Sequence, residues 1–190
     1  MPQEPKRALI FVADGSEEIE SIAPGDVLVR CGVDVTYAGV DTLTPDGSRG
    51  LPLRADVLVQ DISGQAFDAV VLPGGGPGAR NLAASETVNG IVLAHHRRGA
   101  LVCAICAAPA AVLAPLGVLD GRRATCYPGH EDAFRARAEY VADEDVVVDG
   151  NVVTSRGPGT AIAFGLAIAL LLTGDRDAVE TARNGLLIRA

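Results

Sequence analysis

The chain contains no tryptophan, and its few phenylalanines and tyrosines make up only 4% of 190 residues. A core must therefore be aliphatic, built from Val, Leu, Ile and Ala, and few rings are available for bases to stack on. Positive charge is also short: 16 Lys and Arg against 24 Asp and Glu leave a net charge of −8. A general binder of nucleic acid or of an anionic membrane needs the opposite sign, so no nucleic acid is expected as a stable partner. The four cysteines, Cys31, Cys103, Cys106 and Cys126, are too few for a disulfide scaffold in a chain of this length. Only three histidines occur, none at ligand spacing from the cysteines, so neither a metal nor a cofactor is expected. The longest apolar run, Ala161 to Leu172, falls well short of the about 20 residues that cross a bilayer. Near the N-terminus, Ala8 to Ala13 is shorter than the about 7–15 apolar residues of a secretory signal. These absences point to a soluble, acidic, cytoplasmic protein with no membrane partner.

What is present is an ordinary globular composition, 48% hydrophobic, in a length that suits one domain over 1–190. Short β-type runs alternate with helical stretches. Ala8–Ala13 reads as a buried strand, being continuous, apolar and short. Asp14 or Ser16 then caps a helix from about Glu17 to Arg30, stopped by Gly32. Further strands are expected at Val33–Ala38, Val57–Val59, Ala69–Leu72 and Ala100–Ile105. Helices are expected from Ser85 to about Arg98 and from Ala107 to Leu116. Asp149-Gly150-Asn151 joins two β runs in a tight hairpin within Asp145–Thr154. Thr160–Leu172 is an apolar helix, and Asp175 caps a last amphipathic one. Buried strands alternating with helices imply a three-layer α/β sandwich, a largely parallel sheet with helices on both faces.

The segment Ala100-Leu-Val-Cys-Ala-Ile-Cys-Ala-Ala-Pro109 carries most information. Cys106 falls where strand gives way to an Ala-rich helix, at the carboxyl end of a sheet where open α/β folds bind ligands. A helix N-terminus there favours thiolate. Cys31, Cys103 and Cys126 read as packing residues. Cys103 and Cys106 form a C-x-x-C, but three steps along a strand set Cα atoms about 10 Å apart, beyond the about 4.4–6.8 Å a disulfide needs. Dithiol chemistry is therefore set aside.

Leu72-Pro-Gly-Gly-Gly-Pro-Gly-Ala79 matches G-x-G-x-x-A after a strand, which alone is weak evidence for a dinucleotide. Some 20 positions on, where an acid would hold a ribose, the chain reads His95-His-Arg-Arg98. A turn presenting backbone N–H groups to an oxyanion beside the nucleophile is the better reading. His95 to Arg98 read as cations at a helix end. Of Glu17, Glu18 and Glu20, two read as solvated helix-start carboxylates and one as facing the cleft, where partial burial would raise its pKa.

At these residues the sequence resembles the ThiJ/PfpI superfamily, in particular its DJ-one branch of parkinsonism-associated deglycases and their bacterial relatives. The matching stretches are Lys6–Glu20, Val71–Ala79, Ala104–Pro109 and Thr154-Ser-Arg-Gly-Pro-Gly-Thr160. The resemblance implies a flavodoxin-like fold, usually homodimeric. It implies that Cys106 is the reactive, oxidation-prone nucleophile and Glu20 a protonated carboxyl bonded to its sulfur. Gly75 and Ala107, with Gly74 beside them, would form the oxyanion pocket, and Arg49 and Arg156 would stand near it and at the dimer interface. Where relatives often carry a His, this chain has Tyr127, with His130 three residues on as a candidate substitute. Ala107 replaces the His of protease-like members, and no Cys-His-Asp triad can be assigned. Two activities remain. One is glyoxalase or deglycase chemistry on a small α-oxoaldehyde or glycated amine. The other is a redox-sensing stress protein or chaperone, in which Cys106 oxidises to sulfinate.

Overall fold

The computed structural model describes residues 4–188. Seven strands form one sheet in the order β3-β2-β1-β4-β5-β9-β8. They are β1 (Arg7–Val12), β2 (Asp34–Gly39), β3 (Val57–Leu58), β4 (Ala69–Leu72), β5 (Leu101–Ile105), β8 (Val146–Asp149) and β9 (Val152–Ser155). All neighbours pair parallel except β8 and β9, which form the antiparallel hairpin expected around Gly150. The interior parallel strands run β2-β1-β4-β5-β9, which is the flavodoxin order. Residues Ala8–Val12, Ala69–Leu72 and Val102–Ile105 are wholly buried, as two-sided coverage of a parallel sheet requires.

Helices α1 (Glu18–Arg30), α4 (Ala161–Thr173) and α5 (Arg176–Gly185) cover one face. Val27, Leu28, Phe164 and Ile168 pack there on Ile10, Val71, Cys103 and Ile105. The other face carries α2 (Gly76–Ala84) and α3 (Glu86–Arg97), with Leu82, Val88 and Val92 on Leu9, Phe11, Val70 and Leu72. The alternation of residues 9 and 11 against 8 and 10 between the two clusters is the period-2 pleat. A small parallel pair, β6 (Arg123–Ala124) with β7 (Glu139–Tyr140), was not evident in the sequence.

Several local expectations are corrected. The Gly-rich stretch is not turn throughout, because α2 begins inside it at Gly76, with Pro77 in the first turn where a missing N–H costs nothing. In place of an α-helix over Ala107–Leu116 stands a π-helical turn, Pro109–Leu113, with Ala114 N–H donating to Pro109 O at 2.9 Å. The cap of α1 is Glu17, which accepts from Glu20 N–H at 2.9 Å; Ser16 instead accepts from Ala13 N–H. His95, expected as a cation at the helix end, is buried instead and accepts from Phe67 N–H through Nε2 at 3.2 Å. Its Nδ1 lies 2.7 Å from Ile91 O, which makes Nδ1 the protonated nitrogen.

Candidate active site

Three carboxyl ends converge. The β1–α1 turn brings Glu17, Glu18 and Glu20, the β4–α2 turn brings Gly74 and Gly75, and the end of β5 brings Cys106 and Ala107. Cys106 is held at φ +64°, a left-handed conformation that costs a residue with a Cβ roughly 1–2 kcal/mol. Strand pairing on one side and the π-helical turn on the other maintain it. Cys106 N–H donates to Ser155 O at 3.0 Å and its carbonyl accepts from Tyr127 N–H at 2.9 Å. The result is an elbow that lifts the thiol out of the sheet to the floor of a cleft.

Glu20 is entirely buried beside it. Its Oε2 accepts from Gly74 N–H at 2.8 Å, and Oε1 is buried with no hydrogen-bond donor among the described residues. Burial is the main cause that pushes this carboxyl up to about 7; the bonds to Cys106 and Gly74 pull the other way, and the neighbouring Glu17 charge adds to the rise. An acceptor-only carboxylate in such a place is costly, whereas the protonated carboxyl becomes a donor to the neighbouring sulfur.

The thiolate expected from position alone meets an opposing effect. Burial and then the Glu20 charge and hydrogen bond push the Cys106 thiol up to about 12, against the Gly75 and Ala107 N–H groups that lower it. With the proton on Glu20 the repulsion vanishes, and the sulfur faces three donors: the carboxyl and those two amides. Gly74 leaves room for this contact. A Cβ there would lie 2.6 Å from Cys106 Cβ and 2.6 Å from Glu20 Oε2.

The three glutamates are all buried, which overturns the expectation that two are solvated. Glu18 spans to the opposite wall, accepting from Arg49 N–H at 2.7 Å, Leu51 N–H at 3.3 Å and the Ser48 hydroxyl at 3.1 Å. Burial raises its pKa, yet these donors outweigh it and hold the carboxyl below its usual range. The loop 48–51 is thereby fixed with Arg49 lining the cleft.

The cleft has a volume of about 360 Å³ and is lined by Glu17, Ser48, Arg49, Gly75, Gly76, Pro77, Cys106, Ala107, Tyr127, His130 and Pro158. Arg156 lines a neighbouring cavity of about 250 Å³ that shares only Tyr127 and Pro158 with it. Tyr127 is half exposed, its ring edge-on to His130 at 6.1 Å between centroids. Ser48, Pro77 and Pro158 were not foreseen as site residues; only the fold brings these separate stretches of chain together. A cavity of about 460 Å³ at the opposite end of the sheet holds no nucleophile, and Lys6 and Asp68 there pair with each other at 3.1 Å.

Cys31, Cys103 and Cys126 are buried and all four cysteines are free. Burial pushes the Cys103 thiol far above its usual range. Among the described residues no group of three or more His, Cys, Asp or Glu side chains is placed to hold a metal ion, and no helix is long and apolar enough to cross a membrane.

A strained cysteine at a strand end, facing a buried carboxyl and two backbone amides on a flavodoxin-like sheet, defines a cysteine-centred α/β protein. The chain belongs to the DJ-1/PfpI family, whose model matches residues 6–170. It is 41% identical over 184 residues to Protein dj-1beta of Drosophila melanogaster, covering 96% of this chain and 97% of the relative. It is 38% identical over 170 residues to the glutathione-independent glyoxalase DJR-1.2 of Caenorhabditis elegans, covering 89% of this chain and 90% of the relative. A solved structure of oxidised DJ-1 from Toxoplasma gondii superposes with a TM-score of 0.93 at 35% identity, over 97% of this chain and 100% of the other.

Proposed function

We propose that the protein is a cysteine-dependent, cofactor-independent glyoxalase that also acts on early glycation adducts, working in the cytoplasm as a homodimer. One observation carries this reading: a fully buried carboxyl, one oxygen fixed by Gly74 and the other unpartnered, beside the cleft-floor thiol Cys106. A nucleophile that only bonds a carbonyl needs no such neighbour, whereas moving a proton between adjacent carbons near neutral pH does.

The Cys106 thiolate, its proton released to water, attacks the aldehyde carbon of methylglyoxal or glyoxal, forming the C–S bond as the carbonyl electron pair moves to oxygen. Gly75 and Ala107 N–H groups are placed to stabilise that oxyanion, an effect usually worth about 3–4 kcal/mol per donor. Glu20 protonates the oxyanion and, now ionised, takes the proton from the former aldehyde carbon. It returns that proton to the adjacent carbon while the hydroxyl proton passes to the adjacent oxygen, which together convert the hemithioacetal to a thioester. Water then cleaves the C–S bond, releasing the hydroxy acid and restoring the thiol. The same attack on the hemiaminal of a glycated amine expels the amine. The C. elegans relative named as a glutathione-independent glyoxalase supports the reaction class.

Conversion of methylglyoxal to lactate without glutathione, followed by NMR, tests the reading. Many equivalents of lactate per protein, lost in Cys106→Ser, are expected. One equivalent or less from the unsubstituted protein would favour the alternative, redox sensing. The oxidised T. gondii relative speaks for that alternative, since sulfinate oxygens at Cys106 would face the same donors.

A further inference from the structure

Gly157 stands between two groups that the chain holds far apart in sequence. A Cβ built on it would lie 3.3 Å from Tyr127 Cδ2, 3.6 Å from Tyr127 Cε2 and 4.0 Å from Glu20 Oε1. The Tyr127 ring and the unpartnered carboxyl oxygen therefore both border the space that Gly157 leaves empty. Tyr127 is anchored at that spot through its own backbone, whose N–H donates to the carbonyl of the strained Cys106 at 2.9 Å. Its side chain is 47% exposed while Glu20 is 0% exposed, so the ring has water on its outer side and a buried carboxyl behind it.

We propose that Tyr127 is a positioning residue, a cover that together with Gly157 keeps water from Glu20 Oε1 and so sets the protonation of the carboxyl facing Cys106. The ring acts by exclusion and the hydroxyl takes no proton. Other groups that face the carboxyl are Cys106 from β5, Glu17 from the start of α1 and the Gly74 N–H after β4; none of them closes the side toward residue 157. Burial is the largest cause that raises Glu20, and the cover is the part of that burial which stands at the protein surface. Uncovering Oε1 must therefore lower the carboxyl's midpoint, and filling the gap must raise it. Gly157 has an extended backbone, φ 170°, so alanine meets no backbone strain there, and its Cβ presses on the Tyr127 ring at 3.3 Å.

This inference deepens the proton-relay role proposed for Glu20, but its test reads the carboxyl itself and needs no turnover. The side-chain carboxyl carbon of Glu20 is titrated by ¹³C NMR in a Cys106→Ser background, so that no thiol titrates with it, and assigned by its loss in Glu20→Gln. Tyr127→Ala is expected to lower the midpoint by about one pH unit, the usual size of an environmental shift. Gly157→Ala is expected to raise it, and Tyr127→Phe to leave it in place. With Cys106 restored, Tyr127→Ala slows alkylation by iodoacetamide at pH 7 roughly threefold to tenfold, since one unit is tenfold in protonation ratio. An unmoved midpoint in Tyr127→Ala would overturn the proposal. So would a shift in Tyr127→Phe equal to that in Tyr127→Ala, because the hydroxyl would then be the active part. The opposite signs expected at positions 127 and 157 separate covering from general loosening, which moves both midpoints downward.

Discussion

Gly74 holds Glu20 from one side only: its N–H donates to Oε2 at 2.8 Å, while Oε1 is left buried and unpartnered on the side of Gly157. The carboxyl is thus oriented by backbone and kept reactive by what is withheld from it. A Cβ at position 74 would also stand 3.0 Å from Ala107 N. Gly74→Ala is expected to abolish lactate formation and to cost about 1–3 kcal/mol of stability, as overpacking does. Urea denaturation together with the NMR assay measures both. A variant with wild-type stability would show that the strand ends give way more easily than the contacts imply.

The left-handed backbone of Cys106 makes a second prediction. Cys106→Ala keeps the Cβ and its strain, whereas Cys106→Gly relieves it. The glycine variant should be more stable than the alanine variant by about 1 kcal/mol, or roughly 2–4 °C in Tm for a domain of this size. Equal melting temperatures would mean that the elbow stores no strain.

Stability should depend on pH through two buried groups acting in opposite directions. Glu20 has a folded pKa raised from 4.5 to about 7, so the folded state binds the extra proton and stability is lost as pH rises from about 5 through 7. Glu20→Gln removes that loss and should gain about 2–3 kcal/mol at pH 7.5, with little effect at pH 4.5. Equal gains at both pH values would show that Glu20 is not protonated in the folded protein.

His95 works the other way. Burial first, and the Arg98 charge after it, hold its pKa below the usual histidine value, against the raising effect of the Ile91 carbonyl. The unfolded chain then binds the extra proton, and stability falls as pH drops below about 6.5. His95→Leu should flatten that acid limb in urea titrations, at a cost of about 1–3 kcal/mol for the stranded Phe67 N–H. An acid limb as steep as in the wild type would assign it elsewhere.

Much of this was legible in the chain because the strands are uninterrupted apolar runs and the turns carry glycine. Both features report on local backbone and two-sided burial, so the alternation and the position of Cys106 follow from them. What stayed hidden depends on contacts distant in sequence. The burial of Glu18 arises from α1 packing under loop 48–51, and that of His95 from Phe67, 28 residues away. Charge alone marked two of the three glutamates as solvated and His95 as a cation at a helix end, and partners supplied by other elements reversed it. The π-helical turn after Cys106 reads as α-helix in an Ala-rich sequence, because propensity does not distinguish the two. The role of Gly157 could not be read at all, since it is defined by the space between Tyr127 and Glu20.

The central claim is that Glu20 moves the proton that Cys106 makes mobile. Lactate production by Glu20→Gln, measured by NMR beside the unsubstituted protein and with iodoacetamide confirming a reactive thiol, tests it most directly. The variant is expected to bond methylglyoxal yet to release no more than one equivalent of lactate. Turnover by Glu20→Gln at the wild-type rate would contradict it.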